Sequence, residues 1–298
     1  MTDDLYKNCI LCPRQCRVNR IIKTGYCGVK DKLKISRAAL HFWEEPVISG
    51  MSGAGTVFFS GCNMGCVFCQ NREISYHKKG QEITPDRLVE IFFELKEEGA
   101  SNIDLVTCDM FIPTVSKAIR RAKDQGIDIP FIFNTSSYLE EDSVKALEGL
   151  IDVYLPDLKY IRDEDAIKYS NAPGYVQAAK KAVAEMVRQQ NKCVFEKGLI
   201  KKGVIVRHLL LPGMVIQAKM IVKYLYEKYG EAIWMSLMNQ YTPNGATEIH
   251  PEINRKVSES EYHSLVSYAQ KLGIINAYIQ TGDASGEGYI PAFDGTGV

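Results

Sequence analysis

No stretch of this chain approaches the roughly 18 apolar residues in a row that a membrane span requires. The opening "MTDDLYKNC" is acidic and polar, without the apolar core of a secretory leader. A cytoplasmic chain with no membrane partner is the expectation. Charge of one sign is also missing: 36 lysines and arginines balance 36 aspartates and glutamates, so no surplus field draws in a polyanion. Nucleic acid is therefore not an expected partner. Linkers, low-complexity segments and close repeats are absent as well, and the length suits one large α/β domain with a short appendage. Cysteine, by contrast, is concentrated. Seven of the nine fall before residue 70, and an odd count in a reducing compartment argues for metal-binding thiols, not a disulfide framework.

The first fifty residues read differently from the rest. "CILCPRQCRVNRIIKTGYCGVKDKL" is cysteine-rich, basic and turn-rich, with neither helical nor strand periodicity. The expected division is a metal-binding segment over 1–50 and a main body over 51–298. From "GAGTVFFSG" onward, short apolar runs alternate with amphipathic stretches, the pattern of βα units on a mostly parallel sheet. Strands are expected at 56–60, 103–107, 130–134, 152–157, 204–211, 233–238 and 277–280. The first long helix is "TPDRLVEIFFELKEEG", with Thr84 as N-cap, Pro85 at the first helical position, Asp86 in the first turn and Gly99 at the stop. Its Leu88, Ile91, Phe92 and Leu95 recur at three and four and make one buried face. Six or so such units form a curved sheet, with chemistry expected at the C-terminal ends of the strands.

"SGCNMGCVFCQN", directly after the apolar run "TVFF", sets Cys62, Cys66 and Cys69 at C-x3-C-x2-C in the loop after the first of those strands. Zinc in a structural site takes four Cys or His ligands, and the next candidate, His77, is eight residues on. Three thiolates suit a [4Fe-4S] cluster with one iron left open to bind a reactant. With Phe68 just before the last cysteine, the motif resembles the signature of the radical S-adenosylmethionine (radical SAM) superfamily. That resemblance implies a partial (β/α)6 barrel, α/β in class. It also implies that the open iron chelates S-adenosylmethionine, whose reductive cleavage gives a 5'-deoxyadenosyl radical that abstracts hydrogen from a substrate.

More narrowly, the chain resembles the pyruvate formate-lyase activating-enzyme relatives, in their PflX-like branch. "GCNMGCVFCQN" and the pair "CILCPRQCRVNR" and "GYCG" carry that likeness, with "VYLPDLKY" and "FNTSSY" parallel to family strands that contact the cofactor. By resemblance, Cys62, Cys66 and Cys69 are cluster ligands and Phe68 lies by the adenine. Asp157 and Lys159 hold the ribose or methionine end, and Thr135 with Asp157 serves a cation site. In "RHLLLPG", Arg207 is the family's cationic residue near the site, and strand alternation lets only one of Arg207 and His208 point inward. "SLMNQYTP" places Asn239, Gln240 and Tyr241 where substrate contacts are expected. One departure stands out: "VTCDMFIP" replaces the family's Gly-Gly-Glu type segment, and Asp109 is the candidate acceptor for the cofactor ammonium. Cys108 beside it reads as a buried filler, and Cys193 as inert.

Cys9, Cys12, Cys16 and Cys27 follow C-x2-C-x3-C-x10-C, a closed four-ligand site that fits zinc or a second iron-sulfur cluster equally. Arg14 and Arg17 between them are expected to offset the thiolate charge. Tyr289 and Phe293 in the glycine-rich C-terminal stretch are candidate covers for the site. The resemblance further implies a one-electron donor such as flavodoxin or ferredoxin and a hydrogen donor that is a glycyl radical enzyme, a peptide or a small molecule. The other class of reading is a non-catalytic protein whose cysteine clusters are purely structural.

Overall fold

In a computed structural model, residues 4–280 and 290–298 are described. The strands in chain order are β1 (Leu33–His41), β2 (Ala54–Phe59), β3 (Gln81–Ile83), β4 (Ile103–Val106), β5 (Phe131–Thr135), β6 (Val153–Pro156), β7 (Val194–Glu196), β8 (Leu199–Leu209), β9 (Trp234–Met238) and β10 (Ala277–Ile279). All seven apolar runs read as strands are strands. They lie side by side in the order β2-β4-β5-β6-β8-β9-β10, every neighbouring pair parallel, and curve into a partial barrel. Every residue of β2, β4, β5 and β6 is buried, as expected of a parallel sheet covered by helices on one face and filled on the other.

The outer layer is built as its sequence dictates. Thr84 caps the helix Pro85–Glu97, its hydroxyl accepting from the Arg87 amide at 3.1 Å, and Leu88, Ile91, Phe92 and Leu95 face the sheet. Val57 and Phe59 of β2 pack into that outer core, whereas Phe58 turns inward. Inside, Ile48, Ile132, Leu155 and Ile205 fill the N-terminal end of the barrel, which leaves its C-terminal end to the site.

The stretch expected to lack periodicity contains β1, which pairs antiparallel with β2, while β3 pairs antiparallel with β1. Its alternation is hidden by a register shift between Ile35 and Arg37, where a bulge adds a residue on one side of the ladder. The sheet therefore takes in residues well before 51. The C-terminal stretch returns to this edge: the Gly295 amide donates to the Ser36 carbonyl and the Ala38 amide to the Thr296 carbonyl. Phe293 is buried against Phe58, edge to face at 5.4 Å; Tyr289 lies outside the described residues. No helix among those residues is long and apolar enough to cross a membrane.

Two arginines fasten the cysteine-rich segment to the barrel. Arg20 is fully buried and donates to the carbonyls of Val29, Lys30 and Met110 at 3.2, 2.5 and 2.6 Å. Arg14 donates from Nε to the Asn63 carbonyl at 3.0 Å and from Nη2 to the Asn171 carbonyl, its guanidinium lying 3.5 Å over the Tyr26 ring.

Candidate active site

The chain leaves β2 at Phe59 and turns at Gly61, whose φ of +91° suits glycine. A Cβ there would meet the Cys27 carbonyl at 2.9 Å and Val29 at 2.7 Å, so the loop of Cys62, Cys66 and Cys69 lies directly against the N-terminal segment. All three cysteines line a cavity of about 730 Å³. Each sulfur has a hydrogen-bond partner: the Met64 amide donates to Cys62 at 3.4 Å, the Ser170 hydroxyl donates to Cys66 at 3.0 Å, and the Ser75 hydroxyl, free to donate or accept, lies 3.2 Å from Cys69. Burial pushes the thiols up, Cys66 to about 11 despite the ammonium of Lys159, and Cys62 is pushed further by the neighbouring thiolates. Such a site holds thiolates only with a cationic centre among them. Three soft thiols with hydrogen-bond donors beside them are the donor chemistry that a [4Fe-4S] cluster takes, so the residues fit that group.

The opposite wall comes from strand ends. Asp157 follows β6, and its carboxylate is paired twice, with Lys159 Nζ at 2.6 Å and with Arg207 Nε at 2.9 Å. Burial alone would raise that carboxyl, but the two cations outweigh it and hold it below the ordinary carboxylate range. Arg207 of β8 also donates to Glu44 Oε2 at 3.1 Å and to Asn134 Oδ1 at 2.5 Å. His208 faces the other way, buried, with Nδ1 2.8 Å from the Leu158 carbonyl; burial pushes its pKa down to about 4. Thr135 at the end of β5 lines the cavity. Phe68 does too, packed at 5.7 Å against the Tyr241 ring.

A family model described as the radical SAM superfamily matches residues 56–225, more than half of the chain and every strand of the site from β2 to β8. The chain belongs to the radical SAM superfamily. An uncharacterised protein of Methanocaldococcus jannaschii is 28% identical over 280 residues, covering 91% of this chain and 77% of that one. Among solved structures, Streptococcus suis SuiB bound to S-adenosylmethionine is 13% identical over 71% of this chain, with a TM-score of 0.47; the match spans only 45% of the SuiB chain. A domain of pyruvate-formate lyase-activating enzyme from Bacteroides vulgatus is 14% identical over 57% of this chain and 91% of that domain, with a TM-score of 0.42.

The segment after β4, where "VTCDMFIP" stands, has a strained backbone. Thr107 lines the cavity at φ +58°, the left-handed region that a β-branched residue rarely adopts. The chain then enters a 3-10 turn, Asp109–Phe111. Asp109, the residue expected to receive the cofactor ammonium, stands behind the cavity wall in this turn. Its Oδ1 accepts from the Thr135 hydroxyl at 2.5 Å, and Oδ2 is buried without a partner. Burial pushes that carboxyl up to about 6. Asp109 therefore meets the cavity through Thr135. Cys108 is fully buried among core side chains. Gln240 and Tyr241 line the cavity, but the Tyr241 hydroxyl is spent on the Ile253 carbonyl at 2.8 Å, and Asn239 stands off the wall.

At the N-terminal set, Cys9 and Cys27 are buried and Cys12 and Cys16 half-buried. Burial, with the charges of Cys9, Cys27 and Cys16, pushes Cys12 up to about 12. Arg14 is turned toward the Cys62 loop, and the cation beside this set is Arg20, with Nη1 4.0 Å from Cys9 Sγ. Sequence reasoning missed Arg20, Glu44, Glu45 and Asp104. Glu44 and Glu45 follow a strand concealed by its bulge. Asp104 did carry a signal, a lone acid in the apolar run "IDLV".

Proposed function

We propose that Cys62, Cys66 and Cys69 ligate a [4Fe-4S] cluster with its open iron toward the cavity. S-adenosylmethionine would lie along Phe68, Thr135, Asp157 and Lys159, with Arg207 behind Asp157. When bound and reduced by one electron, this pair supplies a 5'-deoxyadenosyl radical for hydrogen abstraction. The chain's own residues bind and orient. Ser170 and Ser75 donate to the ligand sulfurs, which tunes the cluster's potential; Asp157, held ionised by Arg207 and Lys159, accepts from ribose hydroxyls. Asp109 accepts a hydrogen bond from the Thr135 hydroxyl and the Ser137 amide donates to the same oxygen at 3.1 Å, which leaves one lone pair of Thr135 for the cofactor.

The observation that carries this reading is that the three thiols and the Asp157–Lys159–Arg207 wall face one cavity of about 730 Å³, at the upper part of the roughly 300–1,000 Å³ usual for ligand sites. That volume favours a catalyst over a purely structural metal binder. A peptide or small-molecule hydrogen donor, or the glycine loop of a glycyl radical enzyme, would enter past the exposed Phe42 and Trp43, and flavodoxin or ferredoxin would supply the electron. The cysteine-rich segment, expected over 1–50, is proposed to hold zinc or a second cluster at Cys9, Cys12, Cys16 and Cys27. The test is anaerobic: dithionite reduction with S-adenosylmethionine and assay for 5'-deoxyadenosine, with Cys66→Ala alongside. Release by the wild type and none by the variant is expected; equal behaviour would sink the assignment.

A further inference from the structure

We propose that the floor of the cavity, built by Glu44 and Glu45 with Asp104 behind them, receives a cationic group of the substrate, an ammonium or guanidinium. This rests on the reading that S-adenosylmethionine occupies the cysteine end. Because β1 runs antiparallel to β2, His41 stands opposite Ala54, the first residue of β2. The loop that follows β1 therefore returns to the N-terminal end of the parallel strands, whereas the cysteine loop leaves their C-terminal end. Glu44, Glu45 and the three cysteines nevertheless line the same cavity, so the two glutamates close it from the far side.

The cations at hand are already engaged. Lys159 pairs with Asp157, and Arg207 divides its guanidinium among Asp157, Glu44 and Asn134. Glu45 is 8% exposed and is hydrogen-bonded to Ser236, yet its Oε2 is buried with no partner. Asp104 is 0% exposed; its Oδ2 is 3.4 Å from Asn134 Nδ2 and its Oδ1 has no partner. A buried carboxylate oxygen without a partner is costly unless a donor arrives. Burial raises both carboxyls above the ordinary range, Asp104 further because Glu44 lies close and Glu45 against the pull of Arg207.

An organic cation fits this floor better than a metal ion. No three acidic, cysteine or histidine side chains among the described residues converge on one point, whereas ammonium and guanidinium groups present several N–H donors that reach separated oxygens. His41, Phe42 and Trp43, just before the two glutamates in the chain, also line the cavity, with Phe42 51% and Trp43 61% exposed, and aromatic faces accept both methylene stems and cations.

The experiment uses the full chain, reconstituted anaerobically and saturated with S-adenosylmethionine, so that the cofactor's own ammonium is already bound. Calorimetric titration compares butylamine and butylguanidine with butanol and butyrate. At least about tenfold tighter binding of the cations is expected, with that preference lost in Glu45→Gln. A short lysine peptide and its norleucine counterpart extend the series. A tighter peptide than free amine assigns the cation to a peptide, and the reverse to a small molecule. Equal binding of cation and alcohol in the wild type overturns the proposal without reliance on any variant, as does a cation preference that survives Glu45→Gln. Potassium or magnesium binding that depends on Glu45, with no amine binding, overturns it as well. S-adenosylmethionine affinity measured on the same sample separates the two claims: its loss defeats the cofactor reading, whereas cofactor binding without cation selectivity defeats this inference alone.

Discussion

The two cysteine sites use the same ligand and differ in what surrounds it. Cys9, Cys12, Cys16 and Cys27 sit in a short segment whose own apolar cluster is little more than Tyr6, Cys9 and Leu11. With the metal proposed for them, four thiols would leave no position open, and a segment so small would draw much of its folding free energy from that metal. Cys62, Cys66 and Cys69 hang from a strand of the main sheet, three thiols only, facing a cavity with Asp157, Lys159 and Arg207 on its other wall. On the proposed function, thiol count and outlook, more than ligand type, separate a staple from a reactive centre. The two are also in contact, through Gly61 against Cys27 and through Arg14 on Asn63.

The largest effect should come from breaking the reactive side. Cys66→Ala is expected to abolish 5'-deoxyadenosine release, a loss beyond about 10³-fold in a chromatographic assay, because an ordered cluster needs all three thiolates. Cys12→Ala should instead lose the N-terminal metal and lower the unfolding temperature while part of the cleavage activity survives. If both variants lost cleavage alike, the division of labour would be wrong.

Next in size is the charge network of the cavity wall. Arg207→Met strands Asp157 and Glu44 in a buried setting, and breaking a buried pair costs about 3–5 kcal/mol. Chemical denaturation should show a fall of that order, against a much smaller one for an exposed pair such as Lys145–Glu141.

A pH effect follows from Asp109, which is buried behind Thr135. Its carboxyl keeps a proton up to about pH 6 when folded, against an ordinary value of 3.8. The native state then binds more protons than the unfolded chain, so this group's contribution falls as pH rises from 3.8 to about 6, by up to about 3 kcal/mol. Asp109→Asn should flatten that slope in denaturation series across the window. An unchanged slope would place the group in solvent.

The smallest effect joins the two regions. Arg14→Ala removes donors from the Asn63 and Asn171 carbonyls and should cost about 1–2 kcal/mol. Its informative readout is iron: faster loss of the cluster from the variant would show that the N-terminal segment braces the loop of Cys62, and unchanged retention would leave the two sites independent.

Much of this was legible in the chain. The seven parallel strands announced themselves as apolar runs, since a strand covered on both faces has no polar alternation to blur it. Cys62, Cys66 and Cys69 were marked by their spacing after an apolar strand, whereas Asp157, Lys159 and Arg207 were singled out by the resemblance to family strands. β1 was concealed by its bulge, and with it went Glu44 and Glu45, whose place depends on an antiparallel strand returning to the far end of the barrel. For Asp109, sequence spacing gives the loop but not the 3-10 turn that sets its carboxylate behind Thr135. Arg20 could not be told from its basic neighbours, because only the fold brings it to Met110.

The most direct measurement is electron paramagnetic resonance of the reduced, reconstituted protein with and without S-adenosylmethionine. A three-thiolate cluster with an open iron facing the cavity predicts a signal that shifts on adding the cofactor and disappears in Cys66→Ala. A signal indifferent to the cofactor, or one that survives in Cys66→Ala, would contradict the account.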